Sequence, residues 1–498
     1  MTRVIVEQSI DHPPECGHSF DQSIDQGGSM NTSISTDKQP FSLLTCLYGD
    51  AEMSETLSAE RLVEFWLKTE QALARAQAQA GVISPEHASA ISALTVGQLD
   101  ISALWDGAQN VGYPILGLVR QMSALLPEGA NGRVHFAATT QDIMDTGTVL
   151  QVSAAADLLL KRVQTVGNLL AAHTREHRST VMAGRTHGQQ AVPTTFGAHL
   201  APLLAEFTRA ISRLESARHG VAKLSLYGAG GTSAAAGESS RKVRALMAEE
   251  LSLAADDVPW HTSRDSLIVL GQVASLLASA CARLARNVID LSRTEIAEIQ
   301  EAAGLHRGAS STMPQKANPI LAEGIIGMSA VVAPLVSSLA RASEIPQERA
   351  AGEWQIEWHV LPQVLLLSSS CLTASAELLD GLRVDSVRMR ENLNQDGGLI
   401  MAEAYMFQLA GALGRETAHD IVYAAARDVR DQGGTLGDAV AAELSRQGHA
   451  GSAVSPIDPS DYLGEAANIA DMAVRQWKEK DLSGFEAESA SFEVKELV

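Results

Sequence analysis

One stretch of the chain gathers groups that could move a proton beside a negative charge. Gly308-Ala309-Ser310-Ser311-Thr312-Met313-Pro314-Gln315-Lys316-Ala317-Asn318-Pro319, followed by Glu323, combines small residues, paired serines and two prolines. Such a composition makes a loop that can move and close over a ligand. Lys316 and Asn318 can hold a carboxylate or a developing negative charge. A serine beside them can act as a base if backbone N–H groups stabilise its alkoxide. A plain linker is the alternative reading of an isolated loop of this kind.

Two further stretches interrupt the helical texture. Gly184-Arg185-Thr186-His187-Gly188-Gln189-Gln190 runs on to Pro193-Thr194-Thr195. A lone histidine is more often structural than catalytic, but His187 sits between Thr186 and Gly188 just ahead of a fresh helix, which favours a polar, accessible setting. Histidine is the side chain type best suited to proton transfer near neutral pH. His135-Phe136-Ala137-Ala138-Thr139-Thr140-Gln141-Asp142 leads into a long helix. Thr139 and Asp142 can be ordinary N-caps. The functional alternative is a cradle of hydroxyls and backbone N–H groups for a carboxylate.

The elements that must position these stretches are helices. Leu62, Phe65, Trp66, Thr69, Leu73 and Ala76 follow the spacing of one buried helical face, and Gly81 is a stop signal. Residues 267–282, 324–340 and 360–376 carry no charge. All three runs fall just short of the roughly 18 residues a spanning helix needs. Helices apolar all round belong inside a bundle, and three of them need more cover than one subunit supplies. A bundle shared between subunits is the natural solution, with a thick-cored monomer as the alternative. Pro334 should kink the second run. Strand signals are sparse.

Composition agrees with an all-α fold. Apolar residues make up 45% of the 498 but aromatics only 4%, so the core must be mostly Ala, Leu, Val and Ile. The net charge of -21 argues against nucleic acid or an anionic membrane as main partner, since both require clustered Lys and Arg. Cys16, Cys46, Cys281 and Cys371 stand singly, which argues against a disulfide framework or a thiolate zinc site and fits a reducing cytoplasm. No signal-peptide pattern opens the chain. Residues 1–40, where Gln8-Ser9-Ile10-Asp11 recurs as Gln22-Ser23-Ile24-Asp25, read as a disordered extension. Met30 is an alternative start to Met1. Residues 41–141 read as an N-terminal helical domain, 142–382 as a central long-helix domain, 383–484 as a smaller C-terminal helical domain and 485–498 as a loose acidic tail.

The 308–323 stretch resembles the signature loop of the fumarase/aspartase superfamily, GSSxMxxKxNxxxxE. Ala309 replaces the usual glycine, while the two serines, Met313, Lys316, Asn318 and Glu323 match. Thr186-His187 and Thr139 to Asp142 resemble the other two conserved regions, in the right order. The resemblance spans residues 41 to about 484. It implies three helical domains per subunit, a homotetrameric bundle of central helices, and active sites drawn from three subunits. It also implies removal of a proton α to a carboxylate, giving an aci-carboxylate that expels a substituent from the neighbouring carbon. In that scheme Ser310 is the base, with Ser311 close behind. His187 is the acid or orienter, with Glu323 able to pair with it. Lys316 and Asn318 stabilise the charge, and Thr139, Thr140, Gln141, Thr186 and Arg349 bind a small di- or tricarboxylate. No metal or organic cofactor is implied.

Several segments look most like the 3-carboxy-cis,cis-muconate cycloisomerase branch: His135-Phe136 with Thr139 to Thr146, Trp260-His261-Thr262 with Arg264-Asp265, and Glu348 to Gln355 with Glu357-Trp358. Adenylosuccinate lyases usually carry a serine-rich phosphate segment where this chain has Gly352-Glu353-Trp354, so a nucleotide substrate is disfavoured. Ala317 and the retained Glu323 instead resemble the true elimination enzymes, with an amine, hydroxyl or nitro group leaving a succinate to give fumarate. A catalytically silent scaffold is a different class, disfavoured by the intact Ser310, Lys316, Asn318 and His187. The Trp260-His261 pair reads equally well as a substrate contact or as packing.

Overall fold

Long helices organise the computed structural model, which describes residues 42–302, 307–349, 352–449 and 454–480. The extension expected over 1–40, with Met30, and the tail expected over 485–498 lie outside the described residues. The chain divides into two compact units, Met1–Cys46 and Leu47–Val498. Of the first, one helical turn, Ser42–Thr45, is described. The second carries the principal elements, numbered here in chain order.

Helix α1 spans Ala59–Gln79 and buries Trp66, Thr69, Leu73 and Ala76 on the expected face. Ser58 caps it by accepting the Arg61 N–H at 3.1 Å. Gly81, at φ 79°, ends it as predicted, and the Val82 N–H closes back on the Gln77 carbonyl at 2.8 Å. Helix α2 spans 37 residues, Thr140–Glu176, and starts from a reciprocal Thr139–Asp142 capping box. Helix α3 (Phe196–Val221) starts from Thr195, whose hydroxyl accepts the Ala198 N–H.

The three uncharged runs fall in α4 (Asp265–Leu291), α5 (Ile320–Leu339) and α6 (Glu353–Asp380), which pack on one another and against α2 and α3. Helix α5 runs on through Pro334. With their few charges included, three helices (Thr140–Glu176, Asp265–Leu291 and Ile320–Ser343) are long and apolar enough to cross a membrane. This corrects the reading of the 267–282 and 324–340 runs as too short, and adds the helix that starts at Thr140. Their most apolar windows are 83%, 61% and 39% buried in the single chain. Helix α5 is therefore the least covered of these three, with Val331 half exposed on a face of small uncharged residues.

A hairpin of β1 (Val181–Thr186) and β2 (Gln189–Thr195) stands where strand signals are sparse, and its second strand separates His187 from the helix expected just after it. Its two-residue turn is His187-Gly188, with φ of 52° and 75°, the backbone of a type I′ turn. A two-residue pair, β3 (Ile299–Gln300) with β4 (Arg383–Val384), is the other sheet among the described residues. The main hydrophobic core lies among α1 to α6. A second core, including Leu393, Met401, Tyr405, Ile421 and Leu436, lies beneath α7 (Ala402–Leu413), α8 (Arg415–Gln432) and α9 (Leu436–Arg446) and touches the hairpin at Ala183. Helix α10 (Ala466–Glu479) returns to the main core, where Trp477 donates to Asn168 at 2.8 Å. Gly167 leaves room for that ring, because a Cβ there would lie 2.0 Å from it.

Candidate active site

At the start of α2 the candidate residues divide into scaffold and contact groups. Asp142 accepts N–H bonds from Thr139 (3.0 Å), Tyr227 (2.8 Å) and Gly228 (2.9 Å), and meets His261 Nε2 at 2.9 Å. Burial alone would raise its pKa, but these partners hold it below the usual carboxylate value. Asp142 is thus a clamp that fixes the 225–228 loop and His261 onto the helix start, as the capping reading expects. The buried Gln141 gives its amide N–H groups to Asp145 (3.1 Å) and to the His261 carbonyl (2.9 Å). Its side-chain oxygen then faces Arg349, whose Nε donates to it at 2.7 Å. Arg349 Nη2 lies 3.5 Å from Thr139 Oγ1. The fold brings together Thr139, Gln141 and Arg349, with the half-buried Thr140 next in line. A guanidinium with N–H groups to spare, beside hydroxyls and a helix N-terminus, is a corner suited to a carboxylate.

Behind this corner lies a network whose pairing the sequence does not reveal. Arg264 is fully buried and bonds Asp145 (2.8 and 3.0 Å) and Glu357 (2.7 and 2.6 Å), with its guanidinium 4.9 Å from the Trp260 ring centre. Burial would lower its pKa, but the two carboxylates outweigh burial and raise it. Trp354 donates to Asp145 at 3.2 Å, and Trp260 to the Leu224 carbonyl at 3.0 Å. Trp260 and His261 are therefore packing and anchoring residues. The signal available in the sequence was Arg264 itself, a charge at the edge of an apolar run.

The other two stretches lie at the far end of α2. Arg185 bonds the buried Glu298 at 3.0 and 2.5 Å, and Asn392 donates to the same carboxylate at 2.8 Å. This pins the hairpin and leaves Thr186 and His187 exposed at its tip. The signature loop has a closed neck, in which the Asn318 N–H donates to the Gly308 carbonyl at 2.9 Å and Ala309 bridges Ala317. Gly308, at φ 65°, must be glycine, because a Cβ there would lie 2.4 Å from the Asn318 carbonyl oxygen. Ser310 Oγ accepts the N–H groups of Thr312 (3.3 Å) and Met313 (3.2 Å). Ser311 and Lys316 are exposed, and Asn318 is half buried. Glu323 is exposed in the first turn of α5 and makes no contact with His187 within the chain. Glu301, which the sequence does not single out, accepts the Leu321 and Ala322 N–H groups at 3.2 and 2.8 Å and fixes the loop's return into α5.

The length of α2 decides how these groups can meet. Thirty-seven residues at 1.5 Å each span roughly 55 Å. A six-residue strand folded fully back recovers only about 20 Å. Thr139 and His187 therefore stand too far apart in one chain to touch the same small molecule.

The family model described as lyase matches residues 49–333, and that described as adenylosuccinate lyase C-terminus matches 398–473. The chain is 38% identical to 3-carboxy-cis,cis-muconate cycloisomerase of Pseudomonas aeruginosa, covering 88% of this chain and 96% of that one. It is 31% identical to N-acetyl-S-(2-succino)cysteine lyase of Dickeya dadantii, covering 87% and 96%. The solved 3-carboxy-cis,cis-muconate lactonizing enzyme of Pseudomonas putida superposes with a TM-score of 0.81 at 33% identity, covering 88% and 99%. With the signature loop, the helical bundle and these likenesses in agreement, the chain belongs to the lyase family of the fumarase/aspartase superfamily.

Proposed function

We propose that the enzyme removes the proton α to a carboxylate of a small substituted succinate and expels an amine, hydroxyl or nitro group from the neighbouring carbon, releasing fumarate. The observation that carries this reading is Ser310 Oγ under two backbone N–H groups, in a glycine-necked loop that also holds Lys316 and Asn318. Those N–H groups favour a negative oxygen, so Ser310 is the base in preference to Ser311. The C–H electron pair moves into the carboxylate to give the aci-carboxylate, whose charge Lys316 and Asn318 offset. The bond to the leaving group then breaks, and His187, oriented by Glu323, supplies its proton. Thr139, Thr140, Gln141, Thr186 and Arg349 hold the substrate carboxylates. The span of α2 and the uncovered face of α5 support assembly of the site from several copies of the chain, in a homotetramer.

A second reading, cycloisomerisation of 3-carboxy-cis,cis-muconate, is favoured by the 38% likeness to that enzyme. The two reactions are chemically close. Lactone formation adds a carboxylate oxygen to the β-carbon and a proton to the α-carbon, and its reverse is an elimination with carboxylate as leaving group. Ala317 within the loop and the retained Glu323 favour elimination. Incubation with the muconate and with a panel of 2-substituted succinates, following fumarate absorbance, separates them. Turnover of the muconate alone would overturn the elimination reading.

A further inference from the structure

We propose that His173, Glu176 and His177, at the C-terminal end of α2, form a site for a divalent transition-metal ion of the zinc, nickel or copper type. Their i, i+3, i+4 spacing places all three on one helical face. One donor atom from each lies within 4.8 Å of the others. His173 Nε2 lies 2.8 Å from the Leu379 carbonyl, which can only accept, so the proton sits on Nε2 and Nδ1 keeps its lone pair. That Nδ1 is buried and has no hydrogen-bond partner. A metal-binding imidazole typically has this arrangement, one nitrogen held by a carbonyl and the other bare. His177 meets Thr180 Oγ1 through Nδ1 at 3.1 Å, which leaves Nε2 to ligate.

The surroundings favour a cation. The two rings are nearly parallel, 9° apart with centres 6.1 Å from each other, and Phe196 sets its edge against His177 at 5.4 Å. The last turn of a helix presents the negative end of its dipole. Metal–ligand bonds of about 2.1 Å draw the donors closer together than the 4.8 Å within which they lie, and the exposed Glu176 side chain can swing in to join the two imidazoles. Two imidazoles and one carboxylate select a borderline transition metal over magnesium or calcium and leave positions for water. The ion would brace the end of α2 against the segment around Leu379, far from the Gln141–Arg349 corner.

The test titrates the metal-free full-length protein with zinc chloride by calorimetry, with cobalt(II) absorbance as the coordination readout. The expected result is one equivalent per chain, weakened at least tenfold by His177→Ala and measurably by Glu176→Gln, and unchanged by His219→Ala. Glu176 is exposed, so its variant folds even if the His177 variant does not, and circular dichroism checks both. Zinc should also raise the thermal midpoint of the parent, and by less in the variants at the same zinc concentration. Absence of stoichiometric binding, or binding that both variants leave intact, would overturn the site.

Discussion

Arg349 and Gln141, 208 residues apart in sequence, meet through a single 2.7 Å hydrogen bond from guanidinium to amide oxygen. The amide can face Arg349 that way round only because Asp145 and the His261 carbonyl occupy its N–H groups. Arg349→Ala should lower kcat/KM by about 10- to 100-fold, the range expected for losing a charged hydrogen-bonding partner, mostly through KM. Gln141→Glu should act in the same direction, because its carboxylate would face Asp145. Steady-state kinetics on the preferred substrate check both, and an unchanged KM would remove Arg349 from substrate binding.

Ser310→Ala should reduce kcat by about 10²- to 10⁴-fold, the usual worth of a positioned base, with little change in KM. The thermal midpoint should stay within a degree or two, because the loop is exposed beyond its neck. Ser311→Ala should be far milder, since its hydroxyl lacks the two N–H groups that favour an oxyanion at Ser310. A reversed order of severity would assign the base to Ser311.

Arg264→Met should destabilise the fold by about 3–5 kcal/mol, because it strands Asp145 and Glu357 as buried carboxylates without their cation. Urea denaturation measures the loss. Replacing all three partners by apolar residues of similar volume should recover much of it, which would separate the cost of an unpaired charge from that of a missing contact.

His135 gives a pH signature. Burial pushes its pKa down, but the hydrogen bond to Glu70 at 2.6 Å and the Glu70 charge outweigh burial, leaving it above 6.5. A raised folded-state value stabilises the fold fully below 6.5, and the contribution fades as pH rises through the folded value. His135→Gln should therefore cost more stability at pH 5.5 than at pH 8.5, measured as unfolding free energy across that range. A penalty that grows with pH would contradict the pairing.

What the sequence made legible follows from how local each signal is. The Leu62 to Ala76 face, the Gly81 stop, the uncharged runs and the three polar interruptions are encoded by near neighbours, and they stand where expected. The 181–195 hairpin was hidden because Val181-Met182-Ala183-Gly184 lacks period-two alternation and β2 contains Pro193. The Arg264 network was hidden because its partners lie 119 and 93 residues away. Glu301 resembles any surface acid until the chain returns 20 residues later to be capped by it. Of the candidate site, the use of Asp142 and His261 as a clamp and the meeting of Gln141 with Arg349 required the fold.

The reach of α2 has a genetic consequence. A lesion at Arg349 and a lesion at His187 damage opposite ends of the same molecule, and each leaves the other end whole. If chains pool their ends to build a site, two individually dead alleles expressed together should restore part of the activity, because some sites in mixed assemblies draw both intact ends. Two lesions at the same end, such as Arg349 with Gln141, should not rescue each other.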